Sequence, residues 1–441
     1  MYRLFGLDPI PFHLAALVLH GANACLVALI VREVIKDRLV SRLTALIYAS
    51  AVALHVDSLA WAVGIYDIGG AFFFFLSLLL FIKNKPSASA VFYFLGCLFK
   101  EAVLVLPIIL FFYPLLTNSV IRSRNSILEH MKHLAIFIPP MVIIAGIKLA
   151  GQSPLDFNGM HPYALELTGV HVIKNLIVYP IWMFQAFFPF MSAGQLTFQL
   201  LAIGIALVLL YGIHTAFQQK DDDFLTRRIM FLFVWLFAGL LPVFFLRNHL
   251  FRYYGIYSLP AFITSFLVLF RYVLCSLHIR GKAVPVILIF ICSLAVTGSV
   301  FQSNRIYAEG LNQTVLTDGT NGLIRKAAYV DIVSKGLKRY LPNPPSNSIL
   351  IFDTIDIWSF NKNSGPQVWY NDTTLGVLAL GDLKDWSRGP DTGNPVEIQT
   401  LTITGIPEEK KLIVPSRFFF FGLSHGQLNE MDQPIILKRS K

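Results

Sequence analysis

The sequence predicts an all-α polytopic membrane bundle of about ten hydrophobic segments, followed by a small C-terminal α/β domain outside the membrane. Hydrophobic residues make up 55% of the 441 residues and charged residues only 14%, whereas soluble domains carry roughly 25% charged residues. The charges also cluster between long apolar runs, and this pattern ends near residue 301. We therefore predict a multi-pass transmembrane domain over 1–301 and an extracytoplasmic domain over 302–441.

The lengths of the apolar runs predict the membrane segments. A helix needs roughly 20 apolar residues to cross a bilayer core of about 30 Å. Runs that approach this length lie at 10–31, 42–56, 60–82, 88–99, 101–116, 133–150, 173–190, 196–216, 229–246, 253–270 and 284–301. The first run has no small-residue cleavage site after it, so we interpret it as a membrane span and not as a signal peptide.

Basic residues predict the orientation of these segments. Lys and Arg collect in short loops between the runs, as in cytoplasmic loops of membrane proteins. Because of this clustering, the net charge of +10 indicates membrane topology and not nucleic-acid binding. The loops that we place in the cytoplasm are 32–42, 83–85, 117–132, 217–228 and 271–283. We expect the protein in the cytoplasmic (plasma) membrane, with the C-terminal domain on the outer side.

This orientation has two consequences for the path of the chain. The stretch 88–116 must form two short helices that turn on the outer side at Lys100 and Glu101. The stretch 151–195 must begin and end outside, so it should contain an interfacial or re-entrant helix, for which Trp182 and Pro180 are suitable residues.

The C-terminal domain has the composition of a small α/β domain. Proline and glycine punctuate it, and the pattern predicts a helix over 322–340. Short β-like runs lie at Ile349–Phe352, Leu401–Thr404 and Leu412–Val414. All four cysteines of the chain lie in apolar runs without CxxC spacing, which argues against a disulfide framework or a zinc site.

Ionisable residues concentrate at the predicted outer ends of the segments. They are His55, Asp57, Asp67, Lys100, Glu101, Arg247, His249 and Arg252. Such residues are costly at a membrane, so they are candidates for function. Carboxylates there can hold a divalent cation or accept a proton from a hydroxyl. Arg and Lys can bind the phosphate of a lipid whose tail stays in the bilayer.

Each of these residues also has a structural interpretation. Asp57 can cap the following helix, and Lys100 and Glu101 can form a solvated turn or pair with each other. His13 and His20 are seven residues apart, which is a poor metal signature, so hydrogen bonds within the bundle are the expected role. The sequence has no nucleotide-binding motif in a fitting context.

Four motifs resemble those of GT-C superfamily glycosyltransferases, in particular the protein O-mannosyltransferase-like enzymes that use polyprenyl-phosphate sugars. Pro11-Phe12-His13 with His20 and Asn23 resembles their opening helix. The run 55–67 is similar to HPxHxEAVAWxxGRxD, and 99–107 is similar to the turn SKE…LP. Leu241-Pro242 with Arg252-Tyr253 and Pro260 resembles LP…RYxYLP. The motifs occur in the family order and cover about 10–270.

The chain departs from the family pattern in two ways. Asp57 stands where the family usually has Glu, and Tyr66 stands where it has Arg. Family members also have an earlier helix and a first outer loop with catalytic acidic residues, and this sequence begins just after that loop would end. The alternatives are a misassigned or truncated start and a protein that has lost catalysis.

The resemblance implies a membrane protein that transfers a sugar from a polyprenyl-phosphate donor to an unidentified glycan, lipid or protein acceptor on the outer face. By analogy, Asp57, Asp67 and Glu101 belong to the catalytic site, with Glu101 orienting Lys100. Lys100, Arg252, His55 and Arg247 bind the lipid phosphate. A divalent cation is a candidate cofactor, membrane lipids are expected partners, and nucleic acid is not.

Two other functions remain open from the sequence. One is a non-catalytic subunit that binds a lipid-linked sugar or assists assembly. The other is a transporter or flippase, for which an inverted repeat and charges at the membrane midplane are expected, and the sequence has neither.

Overall fold

The computed structural model describes residues 8–117, 124–150, 166–191, 196–218, 223–247, 250–312, 322–346, 348–353, 363–379, 418–424 and 427–430. The chain forms two compact units, Met1–Asn304 and Arg305–Lys441.

The first unit is built from α-helices. They are α1 (Pro9–Ile35), α2 (Arg38–Ser50), α3 (Val52–Ala60), α4 (Ile65–Ile82), α5 (Pro86–Phe99), α6 (Leu106–Thr117), α7 (Arg124–Ala135), α8 (Ile138–Ala150), α9 (Val170–Phe184), α10 (Leu196–Gln218), α11 (Asp223–Phe244), α12 (Leu259–Ser276) and α13 (Ala283–Asn312). Short 3₁₀ segments at Ala62–Gly64, Glu101–Val105 and Arg252–Tyr257 precede α4, α6 and α12.

Within the described ranges, seven helices are long and apolar enough to cross a membrane, and eight if the bent pair of α2 and α3 is one span. This result confirms the prediction of an all-α polytopic bundle. The break predicted at Lys100 is also present, because α5 ends at Phe99 and a 3₁₀ turn begins at Glu101.

Several predicted segments differ from the structure in their bounds, and two differ most clearly. The single run 42–56 is in fact two helices, α2 and α3, which are bent by 51° relative to each other. The run predicted at 133–150 begins too late, because the apolar span there is Asn125–Ile144. Hydropathy failed in both places because it measures apolar length and carries no information on where the backbone bends.

Burial separates central helices from peripheral ones. The span Leu259–Ser276 is 72% buried within the protein, whereas Leu196–His214 is only 17% buried. Since both are strongly apolar, the second must present most of its side chains to lipid. In the centre, α4 packs against both α1 and α5, and α2 lies between α1 and α12.

Ion pairs gather several basic loops at one end of the bundle. Glu33 pairs with Lys83, and Asp37 pairs with Arg271 at 2.6 Å. Tyr113, near the end of α6, lies within electrostatic range of both Glu33 and Arg228. Residues at or near the ends of five helices, α1, α4, α6, α11 and α12, therefore lie close together at this end. Asp67 lies in the first turn of α4 and Lys83 follows its last turn, so Asp67 lies at the opposite end.

The second unit contains a helix, α14 (Gly322–Tyr340), over the range where the sequence predicts one. Its sheet has the order β2-β1-β3-β4, with strands β1 (Ile349–Asp353), β2 (Gly376–Ala379), β3 (Phe418–Ser424) and β4 (Gln427–Glu430). β1 is parallel to β2 and β3, and β4 is antiparallel to β3. The short helix α15 (Ser364–Tyr370) connects β1 and β2. The runs predicted at Leu401–Thr404 and Leu412–Val414 lie outside the described residues.

Candidate functional site

The centre of the candidate site is an ion pair between two helical segments. Nζ of Lys100 lies 2.9 Å from Oδ1 of Asp67, and these side chains are only 16% and 7% exposed. Asp67 is in the first turn of α4, and Lys100 occupies the break between α5 and the next 3₁₀ turn. An ion pair screened from water in this way is stronger than one on a surface. It ties the start of α4 to the turn after α5.

Two tyrosines cover the same ammonium group. Nζ of Lys100 lies 5.3 Å from the ring centre of Tyr254 and 5.9 Å from that of Tyr253. Both distances are within the range of cation–π attraction. The rings belong to the 3₁₀ segment Arg252–Tyr257, so the segment before α12 contributes directly to the surroundings of Lys100.

A glycine makes this approach possible. A Cβ atom on Gly70 would lie 2.7 Å from Oη of Tyr257 and 2.9 Å from Cβ of Lys100. Any other residue at this position would therefore push α4 away from both neighbours. Tyr257 also donates a hydrogen bond to the carbonyl of Asp67 at 3.4 Å.

Arg252 forms the second cationic position. Its guanidinium carbon lies 5.5 Å from the ring centre of Trp182. Burial lowers the pKa of Arg252, and the nearby negative charge of Asp57 opposes this effect. The guanidinium stays protonated, since an arginine pKa is far above neutral. Trp182 belongs to α9 and Asp57 to α3, so three elements meet at Arg252.

We use the name rim cluster for these seven residues: Asp57, Asp67, Lys100, Trp182, Arg252, Tyr253 and Tyr254. It combines two carboxylates, two cations and three aromatic rings at the end of the bundle opposite the basic loops. Glu101 is exposed and follows Lys100 directly. The carboxylate of Asp67 lies at ion-pair distance from Lys100, and the predicted orienting role of Glu101 stays a prediction.

Arg247 lies in a different environment. Its guanidinium donates to Oε2 of Glu166 at 3.1 Å, and the Arg247 side chain is 56% exposed. Nearby, the amide of Asn175 donates to the carbonyls of Val243, Phe244 and Leu246. These bonds fasten the start of α9 to the last turn of α11, where backbone carbonyls lack helical partners. His249 lies outside the described residues.

His55 is inside the protein and not at the surface of the rim. Its side chain is 1% exposed, and its ring centre lies 4.4 Å from that of His20 and 4.8 Å from that of Tyr48. It is therefore not positioned to touch a phosphate at the rim.

The polar residues of α1 bind backbone carbonyls. Nδ1 of His13 donates to the carbonyl of Leu59, and Nε2 of His20 donates to that of Ala49, both at 2.9 Å. The amide of Asn23 donates to the carbonyl of Ile68 at 3.1 Å. Leu59 and Ala49 lie at the ends of α3 and α2, where carbonyls lose their helical partners. The structural role expected for His13 and His20 is thus the one observed.

The sequence left open that Asp57 caps the following helix and has no direct functional role. The residue before α4 is Gly64, and no side chain caps this end by a hydrogen bond. In the described part of the chain, no group of three or more His, Cys, Asp or Glu residues could hold a metal ion.

Sequence reasoning missed the roles of Gly70, Tyr254 and Tyr257. Phe and Tyr contribute 38 and 16 residues to the chain, so single aromatic residues carry little signal. The run Arg252-Tyr253-Tyr254 at the start of a predicted segment was the only feature that pointed to them.

The fold and the rim cluster define the class of protein: a multi-pass helical membrane protein with a compact set of acidic, basic and aromatic side chains at one end of its bundle. No protein-family model, curated protein or solved structure matches the chain.

Proposed function

We propose that the protein is a GT-C-like membrane glycosyltransferase. It takes a sugar from a polyprenyl-phosphate donor and transfers it to an acceptor at the rim cluster, on the outer face of the membrane. In this proposal the basic loops face the cytoplasm, and the second unit is a small extracytoplasmic α/β domain.

One observation carries the proposal. Lys100 and Arg252 are both partly buried at one end of an apolar bundle, each lies over an aromatic ring, and each has a carboxylate nearby. Cations held in such a position suit a phosphate whose lipid tail remains among the helices. The aromatic rings suit the apolar face of a sugar and the membrane interface.

The groups also suit the chemistry of glycosyl transfer. The acceptor oxygen forms a bond to the anomeric carbon of the sugar, and the bond from that carbon to the phosphate oxygen breaks. A carboxylate, for which Asp57 is our choice, accepts the hydroxyl proton. Lys100 and Arg252 stabilise the negative charge of the departing polyprenyl phosphate. Asp67 is assigned a positioning role, because it is already paired with Lys100.

That same pairing favours a second function. If both Asp67 and Lys100 act only to build the phosphate site, the protein binds the lipid-linked sugar without transferring it. It is then a donor-binding or assembly subunit.

The experiment is sugar transfer by the full chain in liposomes that contain a radiolabelled polyprenyl-phosphate sugar. We expect transfer by the wild type, and at least a tenfold loss in Lys100→Gln and in Arg252→Gln. A tenfold loss corresponds to about 1.4 kcal/mol. Asp57→Asn should abolish transfer while the donor still binds.

The matched control is Arg271→Gln, which removes an exposed, ion-paired cation at the opposite end of the bundle. Its transfer rate should equal that of the wild type. If the wild type binds the donor but does not transfer the sugar, and this binding is lost in Lys100→Gln and Arg252→Gln, the result supports the subunit function. Donor binding that survives both substitutions rejects both functions.

A further inference from the structure

A second polar group lies inside the bundle, away from the rim cluster. It consists of His20, Asn23, Tyr48 and His55, which we call the break cluster because it surrounds the bend between α2 and α3. These side chains are 6%, 1%, 0% and 1% exposed. The rings of His20, Tyr48 and His55 are in mutual contact, with centres 4.4 to 5.6 Å apart.

The bend explains why polar side chains are present here. α2 ends at Ser50 and α3 begins at Val52, at an angle of 51°. A break inside a membrane bundle leaves carbonyls without helical partners, and these must be satisfied within the protein. Nε2 of His20 satisfies the carbonyl of Ala49.

The break cluster contains more polar side-chain atoms than this one hydrogen bond uses. Nδ1 of His20, Oδ1 of Asn23 and the hydroxyl of Tyr48 are buried, and none of these three atoms has a hydrogen-bond partner among the described residues. The imidazole of His55 lies within reach of the Tyr48 backbone, but neither of its buried ring nitrogens forms a hydrogen bond of good geometry. A buried polar atom without a partner is destabilising, and native proteins satisfy almost all such atoms with protein groups or ordered water. Four neighbouring residues contribute atoms of this kind to one small region of the bundle.

The chemistry of the atoms identifies the missing partner. The amide oxygen of Asn23 accepts, and the hydroxyl of Tyr48 can both donate and accept. Each histidine nitrogen donates or accepts according to the tautomer of the ring. A ligand that both donates and accepts, carries no charge and fits between side chains suits this mixture. Water has these properties and typically makes about three hydrogen bonds at buried sites. A metal ion suits it less well, because Tyr48 and Asn23 are weak ligands and only two histidines are present.

We propose that the break cluster is an internal water-binding site, in which ordered water completes the hydrogen bonding of the α2–α3 bend. The site holds α3 in its bent direction, and α3 carries Asp57. The proposal does not depend on the glycosyltransferase function, since the unpaired atoms are present whatever reaction occurs at the rim cluster.

The test is solid-state NMR of the full chain in lipid bilayers, with ¹⁵N only in histidine. Magnetisation transferred from water protons should reach the imidazoles of His20 and His55. His55→Phe and His20→Gln assign the two signals by their loss. His130 is the matched internal control, because it is also 6% exposed and binds one carbonyl, that of Phe111, yet lies outside the break cluster.

We expect water transfer to His20 and His55 several-fold faster than to His130. If neither imidazole receives magnetisation from water faster than His130 does, the proposal is wrong. It is also wrong if the purified protein contains a stoichiometric transition metal that His55→Phe removes.

Thermal stability gives a second readout that needs no assignment. A dry cluster predicts a higher Tm for His55→Phe, because two unpaired polar atoms disappear. A hydrated cluster predicts a lower Tm by several degrees, since the bound water loses its partners, and partial recovery in His55→Gln. A rise in Tm for His55→Phe contradicts the proposal.

Discussion

At the scale of single residues, the rim cluster depends on the absence of a side chain at Gly70. The site brings together a lysine, two tyrosine rings and a carboxylate from three separate segments. At Gly70, α4 closely approaches two of those segments, through Tyr257 and Lys100. Even a methyl group at position 70 should therefore change the geometry around Lys100.

We predict that Gly70→Ala destabilises the protein by about 1–3 kcal/mol, the usual cost of overpacking a core. The added methyl group must displace Tyr257 or Lys100. The measurement is the free energy of unfolding in detergent micelles. Gly204→Ala is the matched control, because no neighbouring atom lies within 4 Å of the added carbon. Its stability should not fall, and should rise by up to about 1 kcal/mol because alanine favours a helix more than glycine does. Equal effects of the two substitutions contradict the packing argument.

At the scale of secondary-structure elements, α4 and α5 are joined by a pair of serines. Oγ of Ser77 donates to the carbonyl of Ser89, and Oγ of Ser89 donates to the carbonyl of Ser77, both at 2.7 Å. Both residues are fully buried. Small side chains of this kind let helices approach closely in membranes and add hydrogen bonds between them. The pair fixes α5, whose last residue precedes Lys100.

We predict that Ser77 and Ser89 are energetically coupled. Ser77→Ala and Ser89→Ala should each lower the free energy of unfolding. The double substitution should cost less than the sum of the two, with a coupling of about 0.6–1.7 kcal/mol. Ser87→Ala, at an exposed position of the same helix, should have no effect. Strict additivity would indicate that the two hydroxyl groups act independently.

The elements were largely predictable from the sequence, whereas the bend was not. Apolar run length is a local property, so hydropathy identified the segments of the first unit. Residues 42–60 include no proline or glycine, so no residue that commonly interrupts a helix marks the break. It is stabilised by His20 of α1, which is distant in sequence. Asp67 and Lys100 stood out because charges are rare in apolar runs, but their pairing depends on how α4 and α5 pack.

At the scale of the whole molecule, the ion pairs define two chemically different ends. One end gathers basic loops around Glu33 and Asp37, and the other carries the rim cluster. In membrane proteins, loops rich in Lys and Arg face the cytoplasm. The arrangement therefore leads to a prediction about which residues a reagent can reach from each side.

We predict that Asn84→Cys and Lys282→Cys react with a membrane-impermeant thiol reagent only from the cytoplasmic side. Glu101→Cys should react only from the outer side. All three positions are exposed, and the four native cysteines are first replaced by serine or alanine. Labelling of sealed cells and of inverted vesicles gives the two sides. Reaction of Asn84→Cys and Lys282→Cys from opposite sides contradicts the arrangement of the loops.

The position of α2 between α1 and α12 also has a consequence for biogenesis. The hydroxyls of Thr44 and Thr264 lie 3.3 Å apart in the core although 220 residues separate them. At a translation rate of roughly 5–20 residues per second, α12 leaves the ribosome about 10 to 45 seconds after α2. Throughout that interval, one face of α2 has been synthesised without its permanent neighbour. A membrane insertion factor that shields nascent helices can bind this face of α2, and it must stay bound until α12 has been synthesised.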